Sequence, residues 1–182
     1  MNICFVAILG IITVLFLLKM LYVFCTAWVI RITRGALFVT TPNIRIETFL
    51  QYIPVDHGSS VVDLGCGDGR VLRKIRKHFN VKALGYEINP FAYMLAKIFC
   101  CRDKKIRIKR RDFLDKSLAE FDIIFCYLFP DVMEELTIKL QNEAGPDTVF
   151  ISCNFPLKGQ MADQVLVPEK TRHNEPIFIY YF

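Results

Sequence analysis

Metal-ligand spacing is missing from this chain. Its seven cysteines fall at positions 4, 25, 66, 100, 101, 126 and 153, with no C-x-x-C pair, and its three histidines, His57, His78 and His173, do not cluster. No zinc site is indicated. The odd cysteine count fits a reducing compartment better than a disulfide framework. Cys126 and Cys153 read as small buried apolar residues, not nucleophiles. Repeats and low-complexity tracts are also absent. No lysine or arginine precedes Lys19, and no A-x-A site follows, so the apolar N-terminus does not read as a cleaved signal peptide.

Apolar residues, by contrast, make up 53% of the 182 positions, and the surplus is concentrated at the start. Only Lys19 carries charge across 3–30, and Arg31 and Arg34 close the run. As a helix, 3–30 is roughly 40 Å long, against about 30 Å of bilayer hydrocarbon. A lysine at the bilayer centre costs about 3 kcal/mol. Some two dozen apolar neighbours at roughly −0.5 kcal/mol each offset it. A buried core helix would be unusually long and apolar on all sides. The sequence therefore predicts a transmembrane anchor over 1–34, with the lipid bilayer as a partner and a globular domain over 35–182. Arg31 and Arg34 mark the cytoplasmic side.

The most informative stretch is Val61-Val62-Asp63-Leu64-Gly65-Cys66-Gly67-Asp68-Gly69-Arg70. It reads as a buried strand, a tight turn and a helix start, with helix N–H groups aimed at whatever sits above the turn. A dinucleotide turn, G-x-G-x-x-G, needs its third glycine at position 70, where this chain has Arg. Asp63, two residues before the first glycine, repels a pyrophosphate but suits a cationic amine. The pattern resembles motif I of class I methyltransferases. Their ligand, S-adenosyl-L-methionine, carries an ammonium, a sulfonium and no phosphate. Asp63, Gly65, Cys66 and Gly67 are its expected contacts.

A second strand ends in Gly85-Tyr86-Glu87-Ile88-Asn89-Pro90. An acid there accepts from two ribose hydroxyls, and Glu87 follows Asp63 by 24 residues, about one strand–helix–strand unit. NAD-binding folds share that acid, so only its combination with Asp63 and the glycine spacing points to S-adenosylmethionine. Ile88 is its apolar neighbour. After the basic strand Ile106-Arg107-Ile108, Asp112 and Phe113 stand where methyltransferases meet the adenine amino group and cover the ring; a plain turn is the alternative.

Strands are predicted near 60–64, 82–87, 105–109, 121–127 and 147–152, and helices near 42–52, 69–79, 90–101 and 131–142. Thr41-Pro42 reads as cap and first helical position. The alternation implies an α/β, doubly wound, mainly parallel sheet of Rossmann-like type. The tail, 164–167 and 176–182, reads as a C-terminal antiparallel strand pair. The loops at Tyr127 and at Asn154-Phe155-Pro156 leave strand C-termini, where open α/β sheets bind ligands. They form either an aromatic substrate slot or a hydrophobic lid.

Taken in order, F-V-x-T-P, D-L-G-x-G-D-G-R, G-Y-E-x-N-P, Y-L-x-P and a late N-F-P resemble the small membrane-associated relatives of the mitochondrial protein-lysine methyltransferases. Those modify the ADP/ATP translocase and the ATP synthase c-subunit. Lys158-Gly159-Gln160 departs from the more aromatic sequence of that family. The resemblance implies Thr41 at the cofactor, and Tyr127, Asn154, Phe155 and Pro156 at the substrate mouth. It also implies a membrane-protein substrate and a catalytic domain on the cytoplasmic or mitochondrial matrix side. A lipid or other apolar small molecule is the alternative substrate, and a non-catalytic cofactor-binding module the alternative function.

The net charge of +5 has a local origin: 102–111 holds seven basic residues and one acid. Arg70, Arg73, Lys74, Arg76 and Lys77 form a second group. Anionic headgroups are the favoured partner over a solvated face. Nucleic acid is not expected, because exposed aromatics are not interleaved.

Overall fold

The computed structural model describes residues 3–32, 38–55, 58–168 and 175–182. The chain divides into two compact units, Met1–Leu37 and Phe38–Phe182. The first contains one helix, α1 (Ile3–Ile32). Here the sequence expectation is corrected. Among the described residues no helix is long and apolar enough to cross a membrane. The transmembrane helix, the single-pass localisation and the membrane side assigned from Arg31 and Arg34 all fall with it. The bilayer as a partner loses the observation that carried it. Arg34, His57 and His173 lie outside the described residues.

The second unit is α2 (Asn43–Leu50), β1 (Ser60–Leu64), α3 (Arg70–His78), β2 (Lys82–Tyr86), α4 (Pro90–Cys100), β3 (Ile106–Lys109), β4 (Ile123–Cys126), α5 (Pro130–Glu143), β5 (Val149–Cys153), β6 (Gln164–Leu166) and β7 (Ile177–Tyr181). The sheet runs β3-β2-β1-β4-β5-β7-β6. The first five strands are parallel, with Asp63 in register with Gly85 on β2 and Phe125 on β4. The closing β6 and β7 are antiparallel. Parallel strands covered on both faces need continuous apolar runs, and β4 and β5 are buried at every position.

Alternate residues feed two cores. Val61, Ile123, Phe125 and Ile151 meet Ile46 and Phe49 of α2 and Ile75 of α3. Val62, Leu64, Ile124 and Phe150 meet Leu136 and Leu140 of α5. Asn89 caps α4 by accepting from the Phe91 and Ala92 N–H groups, and Pro90 opens that helix. At α2 the expectation shifts by one residue. Pro42 itself is the N-cap, with no side-chain cap bond, so Thr41 does not cap the helix.

Most of the α3 basic group is internally paired. Arg70 meets Asp68, Lys74 meets Glu47, and Arg76 meets Asp103. Arg73 donates to the Asp68 carbonyl and stacks on Phe99. These charges therefore neutralise the domain's own acids. Arg107 and Lys109 lie exposed on β3, an edge strand.

Candidate functional site

β1 ends at the point where the strand order reverses, with β2 on one side and β4 on the other. Open α/β sheets bind ligands in the crevice at this point. The turn that follows is pinned from β2: the Gly65 and Cys66 N–H groups both donate to the Tyr86 carbonyl, each at 2.9 Å. Gly67 has φ 56°, and a Cβ there would lie 2.5 Å from Phe38 Cε2. Only glycine permits both this backbone and this approach.

Glu87 fastens the turn to the next helix. One carboxylate oxygen accepts from Gly67 N–H and the other from Asn89 N–H, each at 2.8 Å. Burial nonetheless raises its pKa, against the lowering effect of the Asn89, Gly67 and Ile88 backbone bonds.

Asp63 carries the heavier burial penalty. It is 2% accessible, and its Oδ2 has no hydrogen-bond partner among the described residues. Burial first, then the charges of Glu87 and Asp68, push its pKa well above the carboxylate range. A buried acid with an unpaired oxygen fits a ligand that brings its own cation.

Thr41, Asp63, Gly65, Cys66 and Gly67 share one cleft with Phe38 and Tyr127. Its free volume is about 20 Å³, because 38–41 crosses the turn. Phe38 is 42% exposed, so it can swing outward without opening the core. The orphaned Asp63 oxygen and the glycine cradle thus fit a cationic, phosphate-free cofactor, with Phe38 the group that must yield.

The opposite wall comes from β4 and β5. Asn154 follows β5 with φ 74°, a left-handed conformation that asparagine tolerates. Its Nδ2 donates to the Tyr127 hydroxyl at 3.2 Å, and its Oδ1 accepts from Arg45 Nη2 at 2.7 Å. The Arg45 guanidinium carbon lies 5.3 Å from the Tyr127 ring centroid, and Nη2 also pairs with Glu175.

Phe155 is half-buried against the α5-side core, and Ser152 Oγ donates to its carbonyl at 2.6 Å. Pro156 is exposed, while Leu157 N–H is held by the Tyr180 hydroxyl at 2.8 Å. Cys126 and Cys153 are fully buried. Burial raises both thiols, Cys153 to about 12, so neither supplies a thiolate.

The structure does not bring every expected residue to the cleft. Phe113 is 9% exposed and packs among Leu64, Tyr86 and Leu118, on the α5 face of the sheet. The Asp112 carboxylate accepts from Leu114 N–H at 3.0 Å, shaping the β3–β4 loop. His78 lies against Phe79 at the end of α3.

Sequence reasoning assigns no role to Phe38, which opens the F-V-x-T-P motif, and does not point to Arg45. A signal existed for Arg45. In N-I-R-I-E-T-F-L it stands four residues before Phe49, on the stripe that α2 buries.

Comparison with known proteins gives the family. Residues 63–164, more than half of the chain, match the family model described as the ANTKMT methyltransferase domain. A protein-lysine N-methyltransferase of Saccharolobus islandicus is 30% identical over 147 residues, 79% of this chain and 91% of that protein. The adenine nucleotide translocase lysine N-methyltransferase of Mus musculus is 33% identical over 100 residues, 53% of this chain and 44% of that protein. The Homo sapiens lysine N-methyltransferase of the ATP synthase c-subunit is 28% identical over 132 residues, 70% and 55% of the two chains. The chain thus spans about half the length of these two animal relatives.

Among solved structures, an RNA methyltransferase from Salinibacter ruber in complex with S-adenosyl-L-homocysteine superposes with a TM-score of 0.71. It is 22% identical, and the match covers 79% of this chain and 93% of that one, a likeness of fold. The matched segment begins at Asp63 and carries the glycine turn, Glu87 and the β5 loop, so this chain belongs to the ANTKMT methyltransferase domain family, whose members are S-adenosylmethionine-dependent methyltransferases.

Proposed function

We propose that this chain methylates a lysine side chain of a protein, and that the substrate is a membrane protein. The observation that carries the reading is the pairing of two walls at one sheet rim. Asp63, Gly67 and Glu87 form the first, and Tyr127 with Asn154 the second. The names of the relatives supply the substrate class, since they act on lysines of the adenine nucleotide translocase and of the ATP synthase c-subunit.

Bound S-adenosylmethionine supplies a methyl carbon on a good leaving group. The chain then has to bind, orient and exclude water. Asp63 offers an unpaired carboxylate oxygen to the ammonium, and Glu87 holds the turn while offering acceptors to the ribose. Thr41, Gly65, Cys66 and Gly67 complete this wall, and Ile88 belongs with Glu87. A lysine must be neutral to act as a nucleophile, and a desolvated aromatic wall favours the neutral amine. Tyr127, Phe155 and Pro156 provide that wall, with Asn154 fixing the Tyr127 hydroxyl. Tyr127 sets its ring against Arg45, so its other contacts, not a cation on that face, define the acceptor side. The carboxylate beside Asn154, that of Glu175, is engaged in an ion pair with Arg45 and is therefore a poor general base, so the amine releases its proton to solvent.

The test is incubation with methyl-tritiated cofactor and host membranes, followed by separation of protein from lipid. Label in a protein band, recovered as methyl-lysine after hydrolysis, is the expected result. Label in the lipid extract alone would replace lysine by an apolar small molecule.

A further inference from the structure

We infer that Arg45 is the positioning residue of the acceptor side, holding Asn154 and Tyr127 in place from beneath. The inference rests on the reading of those two residues as the acceptor wall. Three observations carry it. Arg45 is completely buried on a two-turn helix, at a position whose neighbours on the same face are Ile46, Phe49 and Leu50. Removing a guanidinium from water costs several kcal/mol, and a hydrophobic residue of similar size would fill the site at no such cost. The charge is also incompletely used: among the described residues Nε and Nη1 have no hydrogen-bond partner. A purely structural ion pair would be expected to satisfy its donors more fully.

The partners Arg45 does have are concentrated on the acceptor wall. Nη2 donates to Asn154 Oδ1 at 2.7 Å, and the guanidinium plane faces the Tyr127 ring at 5.3 Å. Asn154 closes the triangle by donating to the Tyr127 hydroxyl at 3.2 Å. With Oδ1 taken by Arg45, the asparagine amide has one orientation, and Nδ2 must face Tyr127. The left-handed backbone at Asn154 is otherwise secured by one bond, its N–H to the Pro176 carbonyl at 2.9 Å. Arg45 therefore supplies the side-chain half of that restraint. The ion pair with Glu175, which precedes β7, is made by the same Nη2 and balances the charge. Arg45 does not itself line the cleft that holds Asp63 and Gly67; it meets that cleft through Tyr127.

Two variants and two readouts test the assignment. Arg45→Lys keeps a buried cation for Glu175 but loses the planar donor and the ring stacking. Asn154→Ala removes the group through which Arg45 acts. In ¹H–¹⁵N spectra the Asn154 side-chain amide should be resolved and protected from exchange in the native protein, and averaged with exposed amides in Arg45→Lys. Protection retained in the variant would overturn the inference without touching the methyltransferase reading. In label transfer to host membranes, each single variant should lower kcat by about tenfold or more, with cofactor affinity within about threefold. The double variant should be no slower than Asn154→Ala alone, because the two act as one unit. Additive losses would overturn the positioning role. Full activity in Asn154→Ala would instead overturn the acceptor wall itself. Should Arg45→Lys not fold, the spectrum of Glu175→Gln serves: an Asn154 amide still protected there supports Arg45 as its holder, and loss of protection assigns the role to the ion pair.

Discussion

Asp63→Asn should stabilise the cofactor-free protein and weaken cofactor binding at the same time. The carboxylate is buried, its Oδ2 is unpaired, and the nearest charges that act on it, Glu87 and Asp68, are of the same sign. An unsatisfied buried polar group costs about 1–3 kcal/mol, and more when charged. Removing the charge should therefore raise stability by about 1–3 kcal/mol at about pH 8, a rise in Tm of about 2–12 °C for a domain of this size. The effect has a definite pH dependence. Because the folded-state pKa is raised, the folded protein holds this proton more tightly than the unfolded chain. The stability it contributes is fully present below the ordinary carboxylate value of about 4 and is lost as pH rises through the raised value. The difference between Asp63→Asn and the native protein should thus open as pH rises from about 4 and then level off. Binding moves the other way. Loss of a charge-assisted hydrogen bond to an ammonium, about 1.5–3 kcal/mol, weakens affinity by about ten- to 150-fold. Thermal melts across pH, with calorimetric titration of S-adenosylmethionine, measure both. A variant that is less stable at about pH 8 and binds unchanged would refute the reasoning, and would make Asp63 a structural acid with an internal partner.

Glu87→Ala should weaken S-adenosylmethionine by more than about 100-fold, since two charge-assisted bonds to ribose are lost and Gly67 N–H is left without its acceptor; calorimetry showing unchanged affinity with a lowered Tm would reduce Glu87 to a loop fastener. Tyr127→Ala should lower methyl transfer by about tenfold or more and leave cofactor affinity within a few-fold, and equal losses of rate and binding would move Tyr127 to the cofactor wall. Among the five cysteines with described side chains, Cys101 is the exposed one, so iodoacetamide followed by peptide mass spectrometry should label it well before Cys66, Cys100, Cys126 and Cys153; early modification of Cys153 would show that the β5 terminus opens in solution.

Much of this protein was legible without coordinates, because its signals are local. Glycine spacing around Asp63, an acid after the next apolar strand, and alternation of strand and helix patterns are short-range features. They predict a parallel sheet whose strand boundaries the structure reproduces to within a few residues. Asn89-Pro90 marks the start of α4 for the same reason, as cap and first-turn chemistry act within four residues. Other features depend on contacts between distant segments. Composition counted the apolar residues of 3–30 and predicted a membrane span, whereas no described helix qualifies as one. The basic residues of α3 were legible as charge but not as partners of Glu47, Asp68 and Asp103, since pairing is decided by which elements pack together. Phe113 sits on one face of the sheet and not at the cleft because the β3–β4 loop turns it there. Arg45 is the sharpest case. It stands 109 residues from Asn154 in sequence and 2.7 Å from it in space. Chemistry confined to a few neighbouring residues made the turn, the acids and the alternation of strands and helices readable in the sequence. Only the tertiary structure decided which buried charges meet, because burial and pairing arise when α2, β4 and β5 close on one another.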